Sequence, residues 1–439
     1  MQKYKTYKPT RLEWIGDIPT QWNAVPLKYI ASIAKGKKPK EDFQDYASGL
    51  IPYLSMEYLR NQTENPTYVQ ADDDSIVLVD ESDLLILWDG SKAGEIVKAK
   101  RGALSSTMGK IHIEDNSIAL NYLNYFLKSA EPFLQSNTIG MGIPHVDGEV
   151  LRDLLIAKPS IEEQNQIAKY LDYQISLIDD LIFRKEKLVQ LLKEKKESVI
   201  NESVINGLSK TSRKKQSGFD WIGEIPESWE TIYLRHLTTK IGSGVTPKGG
   251  AEVYTEEGVI FIRSQNVHFD GLRLDDVVRI DFDTHEKMSS SRVQYKDVLL
   301  NITGASIGRC CVVDIQEEMN VNQHVCIIRA NEKIAPEYLN LVLKSSIGQI
   351  QVKLGTTGGN REGLTFEAIK DFIIPIPSFS EQLQIVNNIL ESVKKFEKVE
   401  IKNVIQIERL KEYRQSLITE VVTGKIDVRD WQPNKKQVA

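Results

Sequence analysis

From residue 160 to residue 206 the chain carries no proline and no glycine, and its apolar residues keep largely to one stripe. Ile167, Leu171, Ile178, Leu181, Leu188, Leu192 and Val199 fall at steps of three, four and seven, with Gln174, Lys185 and Lys195 as polar interruptions. This spacing is a heptad seam, the face that a long helix presents to a second helix. Pro159 stops any helix before it, and Ser160 with Glu163 three positions on forms a capping box that starts one. About 44 residues of helix would reach ~65 Å, far beyond an ordinary globular helix, so the stripe needs a partner.

A partner lies in the same chain. Residues 377–424 open with PSFSEQLQI where residues 159–167 read PSIEEQNQI, and Ser378 with Glu381 repeats the capping box. The seam repeats at Ile385, Ile389, Phe396, Val399, Leu410 and Leu417, with the polar Asn403 where the first copy has Lys185. Identical caps and matching register favour two copies of one element over two unrelated amphipathic helices.

The repetition extends over nearly the whole chain. WIGDIPTQW at 14–22 matches WIGEIPESW at 221–229, with six of nine positions identical. DLLILWDG at 83–90 matches DVLLNITG at 297–304, and the Tyr-Leu-Asn and Leu-Lys-Ser triplets at 122 and 127 recur at 338 and 343. Each half therefore runs Trp motif, globular part, long helix, which is a domain duplication rather than a solenoid. Within each globular part, residues 75–79, 84–88, 259–263, 297–302 and 325–329 have the pattern of short strands, and residues 120–129 and 336–345 that of short helices. Strands do not alternate with helices as a doubly wound fold requires, so the class is α+β with a largely antiparallel or twisted sheet. Residues 207–219 and the tail 425–439 are polar and basic and read as exposed connections.

Composition narrows the function classes. The chain has 439 residues, 41% hydrophobic and 27% charged, enough for two or three domains with real cores. No stretch approaches the ~20 apolar residues of a membrane span, and the start has no apolar core of a signal peptide. Cys310, Cys311 and Cys326 show no metal-site spacing and cannot form an even disulfide set, which points to the cytoplasm. The net charge of −5 counts mildly against a free-standing nucleic-acid binder, though not against basic patches or binding shared with a partner.

These features together resemble the specificity subunit of type I restriction–modification systems: two diverged globular domains, each preceded by W-I-G-x-I-P-x-x-W and followed by P-S-x-x-E-Q-x-Q-I opening a long helix. IGSGVTPK at 241–248 resembles the Gly-x-Thr-Pro turn that often opens a target recognition domain there, and KGKKPK at 35–40 is its looser counterpart. The resemblance implies two duplicated α+β target recognition domains, at 1–158 and 221–376, each reading half of a split site in double-stranded DNA. They would be separated by long helices at 159–207 and 377–424 that pair as an antiparallel coiled coil, with a linker at 208–220 and a tail at 425–439. It also implies a non-catalytic chain that binds no cofactor and assembles with two methyltransferase subunits and with restriction subunits. S-adenosylmethionine, ATP and magnesium would belong to those partners.

The residues agree with an absence of catalysis. There is no P-loop, and the closest approach to an amino-methyltransferase signature, NPTY at 65–68, has Thr67 where the second proline should stand. Glu194-Lys195-Lys196 falls on the long helix and reads as a solvated face rather than a nuclease core. The six histidines show no ligand spacing, and a surface role is the default for His324. The other reading of the same pattern is a coiled-coil adaptor whose two α+β domains bind protein.

Segments alike in both halves should serve the scaffold or symmetric partners, and segments that differ should carry readout. The divergent tracts are residues 57–82 against 265–296, and 98–107 against 312–323. Arg, Lys, Asn and Gln suit base edges, and Lys, Arg and Ser/Thr suit phosphates. The DNA-contact candidates are Lys35, Lys37, Lys38, Arg60, Asn61 and Lys110 in the first domain. In the second they are Lys248, Arg263, Gln265, Asn266, Arg292, Gln323, Asn360 and Arg361. Gly-rich loops at 138–142 and 356–361 occupy matching positions and either bring backbone close to DNA or turn the chain.

Overall fold

The computed structural model describes residues 2–10, 14–209, 211–247, 249–357 and 363–433. Lys248, Asn360 and Arg361 lie outside them. The long helices run over Ile161–Asn206 and Phe379–Val422. Each start is capped, since Ser160 Oγ and Ser378 Oγ accept from the backbone N–H of Glu163 and Glu381, both at 3.3 Å.

The chain divides into two compact units, residues 1–186 with 405–439 and residues 187–404, and each contains half of each long helix. In the first unit Asp179 pairs with Arg414 at 2.7 Å and Lys185 donates to Gln406 at 2.6 Å, so one helix rises in number as the other falls. In the second unit Lys196 pairs with Glu400 at 2.7 Å, while Gly207 lies beside the Glu381 carboxylate. The half-helices are antiparallel in both units.

The seam keeps most of the expected positions, among them Ile178, Leu192, Val199, Ile389, Phe396, Leu410 and Leu417, and departs from them at three. Leu181, Leu188 and Val399 are 42%, 40% and 43% exposed. Buried or half-buried positions run instead through Ile178, Ile182, Lys185, Val189, Leu192, Lys196 and Val199 on the first helix. On the second they run through Ile389, Val393, Phe396, Glu400, Asn403, Ile407, Leu410, Arg414 and Leu417, in strict steps of three and four. The central slots are therefore polar. A search for apolar periodicity there picks up the neighbouring, exposed stripe, because a straight helix gains ~20° per heptad over a 3.5-residue repeat.

Each unit carries one four-stranded antiparallel sheet of the same order. In the first it is Ala31–Lys35, Met108–Ile113, Leu84–Leu87, Ile96–Lys98; in the second, Thr238–Ser243, Val325–Ala330, Val298–Asn301, Cys310–Val312. A second, mixed sheet contains one parallel pair in each unit, Leu50–Leu54 with Gly102–Leu104 and Val259–Ile262 with Met319–Val321. Tyr68–Gln70 and Val278–Ile280 add an antiparallel strand at matching places, but the fourth strand differs: Leu78–Val79 borders Gly102–Leu104 in the first unit, whereas Tyr254–Thr255 borders Val278–Ile280 in the second. A common α+β core with unlike additions is what duplication followed by divergence leaves.

The short helix of the first unit runs over Leu120–Ser136, straight through Pro132, beyond its expected end. Pro132 has no N–H for the Lys128 carbonyl, and that carbonyl accepts from Gln415 Nε2 at 3.1 Å instead. The tail is not a loose appendage either. Ile426 and Val428 are buried, and Trp431 packs on Tyr170 and Tyr173 with centroids 5.1 and 5.3 Å away. The expected connection at 207–219 contributes the strand Lys214–Gln216, paired with Glu224–Pro226.

The glutamines that follow the capping glutamates, alike in both halves, serve the scaffold. Gln164 is fully buried; its Oε1 accepts from Ala119 N at 2.8 Å, and its Nε2 donates to Ser117 O and Pro159 O at 2.9 and 3.0 Å. Gln382 does the same with Ala335 N, Lys333 O and Pro377 O at 2.8, 3.0 and 3.2 Å. Each glutamine ties the start of a long helix to the start of the short helix in its domain. Gln164→Leu keeps the volume but orphans a backbone N–H and two carbonyls. Its expected cost is about 2–4 kcal/mol, read from denaturant melts of the whole chain.

Candidate nucleic-acid interface

The clearest point of correspondence between the halves is a glycine at the end of the first sheet strand. A Cβ on Gly36 would meet the Ser105 carbonyl oxygen at 2.0 Å, and one on Gly244 would meet the Val321 carbonyl oxygen at 1.6 Å. Only glycine lets the chain pass so close to the neighbouring strand. The same fixed point launches Gly36-Lys-Lys-Pro39 in one unit and Gly244-Val-Thr-Pro247 in the other.

Around the first turn, Lys35 Nζ lies 3.0 Å from Asp89 Oδ2 and 5.7 Å from the centre of the Trp88 ring. His145 Nδ1 lies 2.7 Å from Asp89 Oδ1. Asp89 thus joins the basic strand end to the loop at 139–145. Lys37 and Lys38 are exposed next to it. Around the second turn a polar chain runs from Thr246, whose hydroxyl donates to Gln323 Oε1, to His324, whose Nε2 is 3.1 Å from Gln323 Nε2. It ends at Thr303, whose Oγ1 is 2.5 Å from His324 Nδ1. Gln323 therefore sits on the Gly-Val-Thr-Pro turn as a polar, exposed group.

The other candidates are mostly engaged. Arg60 pairs with Glu95, its Nε 3.3 Å from Oε1. Asn61 accepts from Lys100 Nζ at 2.8 Å. Lys110 donates to Leu78 O at 3.0 Å and stands 3.3 Å from the buried Asp83 carboxylate, so it ties strands together. Asn266 is 2% exposed and holds Arg263 N and Arg273 O at 3.0 and 2.9 Å, which makes it a turn-former. Arg263 and Gln265 both reach Asp276, at 3.2 Å to its carbonyl and 3.0 Å to its carboxylate respectively. Arg292 pairs with Glu286 at 2.8 Å. His145, Asp89, Thr246 and Thr303 escaped sequence reasoning, because each acquires its setting from a partner far away in the chain. His324, assigned a surface role by default, sits in the same polar chain.

Burial pushes the Cys311 and Cys326 thiols up to about 12, and that of Cys310 up as well, so none is a nucleophile at neutral pH. Among the described residues no group of His, Cys, Asp and Glu is placed to hold a metal ion, and no helix is long and apolar enough to cross a membrane.

The family described as the type I restriction modification DNA specificity domain matches the chain twice, at residues 19–191 and 226–410. The chain belongs to this family and is a non-catalytic DNA specificity subunit. The MjaVIII type I restriction enzyme specificity subunit of Methanocaldococcus jannaschii is 32% identical over 94% of this chain and 95% of its own length. The EcoBI specificity subunit of Escherichia coli is 24% identical over 93% of this chain and 87% of its own. A chain from a structural study of type I system assembly and conformational transition superposes with a TM-score of 0.72 at 14% identity, covering 93% of this chain and 99% of that one. The HsdS subunit of Thermoanaerobacter tengcongensis superposes at 0.52 and 14%, covering 93% of this chain and 98% of its own. This membership does not favour the adaptor reading of the two domains.

Proposed function

We propose that each unit reads one half of a split, asymmetric DNA site, and that the chain recruits two methyltransferase subunits together with restriction subunits. The observation that carries the reading is a shared architecture with unlike surroundings. The first sheet, the turn glycine and the buried glutamine recur in both units, while the turns bear Lys37 and Lys38 in one and Thr246 with Gln323 in the other. Like scaffolds suit like partners, and unlike turns suit unlike base sequences. The long helices, continuous through both units, would fix the gap between the half-sites.

Partner docking is supported by the helix faces. Leu177, Leu181, Leu188 and Leu191 on the first helix, and Leu383, Leu390, Ile401 and Val404 on the second, are exposed at heptad-like spacing beside the seam. A second apolar stripe on a helix that already has a partner suits further helices. S-adenosylmethionine, ATP and magnesium would be held by those partners, and the complex would work in the cytoplasm. The twofold repeat predicts two methyltransferases per chain. Light-scattering mass of the co-purified complex should show that ratio, and a saturated one-to-one complex would contradict it.

A further inference from the structure

Residues 138–145 form a narrow hairpin whose apolar side chains face water. Ile139 and His145 exchange both backbone hydrogen bonds, at 2.9 and 2.8 Å. The base is fixed to the sheet end by Val146 N to Trp88 O at 2.9 Å, by Gly90 N to Pro144 O at 2.9 Å, and by the His145–Asp89 contact. Gly140 has φ +105°, and a Cβ there would meet the Ile143 carbonyl at 2.7 Å, so the bend is tight. At the tip, between Gly140 and Gly142, Met141 is fully exposed, and Ile139 and Ile143 are 55% and 61% exposed.

Two observations identify what such a tip meets. Through Asp89 the hairpin shares an anchor with Lys35, so the apolar tip rises from the same sheet end as the exposed Lys37 and Lys38. A polyanion bound by those lysines would run past it. The matching segment of the other half reads Thr356-Thr-Gly-Gly-Asn-Arg361, with no apolar side chain. A protein partner that docks alike on both halves would meet like residues, whereas an element needed for one half-site is free to be unlike. Three apolar side chains on one narrow hairpin are also too small for a protein interface by themselves, since that needs roughly 800 Å² per partner.

We propose that Met141 is a wedge: it enters the stack at one base step of the half-site read by residues 1–186, while Lys37 and Lys38 hold the flanking phosphates. Apolar side chains, methionine among them, open base steps in this way, and the cost of unstacking falls where pairing is already weak. This gives Met141 a positioning role, kinking or opening the site so that a neighbouring base can be reached. The inference rests on the DNA-specificity reading.

The test uses the full chain with its methyltransferase, a duplex carrying the motif found by methylome sequencing, and a set with single mismatches stepped through it. Met141→Ala should weaken binding to the intact duplex about tenfold, and Met141→Leu should bind within about twofold of wild type. On the one mismatched duplex whose weakened step replaces the unstacking, the alanine variant should lose less than about threefold. With 2-aminopurine beside that step, fluorescence should rise on binding wild type and not the alanine variant. Unchanged binding by Met141→Ala, or the same loss on every mismatched duplex, overturns the wedge alone. Wild-type binding no tighter to the motif than to a scrambled duplex overturns the specificity reading as well. Met141 makes no buried contact, so matched thermal melts should show both variants fully folded.

Discussion

Inserting seven residues in the first long helix alone, after Lys187, should destabilise the chain sharply, whereas the same insertion in both helices should leave it folded with a changed target. The single insertion cannot keep Lys185 against Gln406 in one unit and Lys196 against Glu400 in the other without a bulge. The two polar pairs matter little by themselves, since exposed or half-exposed pairs contribute about 0–1 kcal/mol. The loss comes from buried seam residues such as Ile182 and Ile407, each worth about 1.5–3 kcal/mol when packed. A second heptad after Lys402 restores the seam phase and lengthens both helices by ~10 Å. At ~3.4 Å per base pair that is about 3 bp, but it also demands a large rotation about the duplex, where one turn takes only ~10 bp. The double variant should therefore methylate a motif whose gap has shifted by a few base pairs, with weaker binding, or bind no site. Thermal melts separate the single from the double insertion, and methylome sequencing reads the gap. A folded double variant with the original gap would show that these helices do not set the spacing.

The helix pair and the duplication were legible because both are written in spacing. Capping serines, an uninterrupted run of helix formers and the repeated Trp motif need no knowledge of distant contacts. The seam register was legible at most positions, Lys185 and Asn403 among its polar slots, but Ile182, Val189, Lys196 and Glu400 were not, because Leu181, Leu188 and Val399 fit an apolar repeat as well and the Lys196–Glu400 pair forms only across the two helices. The role of Gln164 and Gln382 was not legible, because it depends on partners elsewhere in each domain. Their repetition is real, but its cause is a buried set of three hydrogen bonds in each domain rather than a partner. Several DNA candidates were chosen by residue type alone, and the structure places them in long-range pairs. Arg60 finds Glu95 and Lys110 finds Asp83, partners that local sequence cannot announce. Lys35, Lys37 and Lys38 lie at one, and Gln323 at the other, of the two turns that the close-packed Gly36 and Gly244 fix in space.

Independent reading by the two units is the central claim, and exchange of one domain tests it. Residues 24–157 span the first unit's two four-stranded sheets and its short helix, entering at Asn23–Pro26 and leaving at Leu155–Lys158, two strands that pair with each other. Both ends of the segment thus lie on adjacent strands, so a relative's equivalent segment can be joined without touching the long helices or residues 187–404. The buried Gln164 and its hydrogen-bond partners at 117 and 119 must be kept matched, since Gln164 holds the new domain to the first helix. Because specificity is a difference of affinities carried by a few base contacts, at ~1–3 kcal/mol per position, the exchange should replace one half of the site outright. The measurement is methylome sequencing of cells that express the exchanged chain with its methyltransferase, beside cells that express the wild type. The expected result is a split motif in which one half is new while the other half is unchanged. A motif changed in both halves, or unchanged in both, would contradict independent reading by the two units.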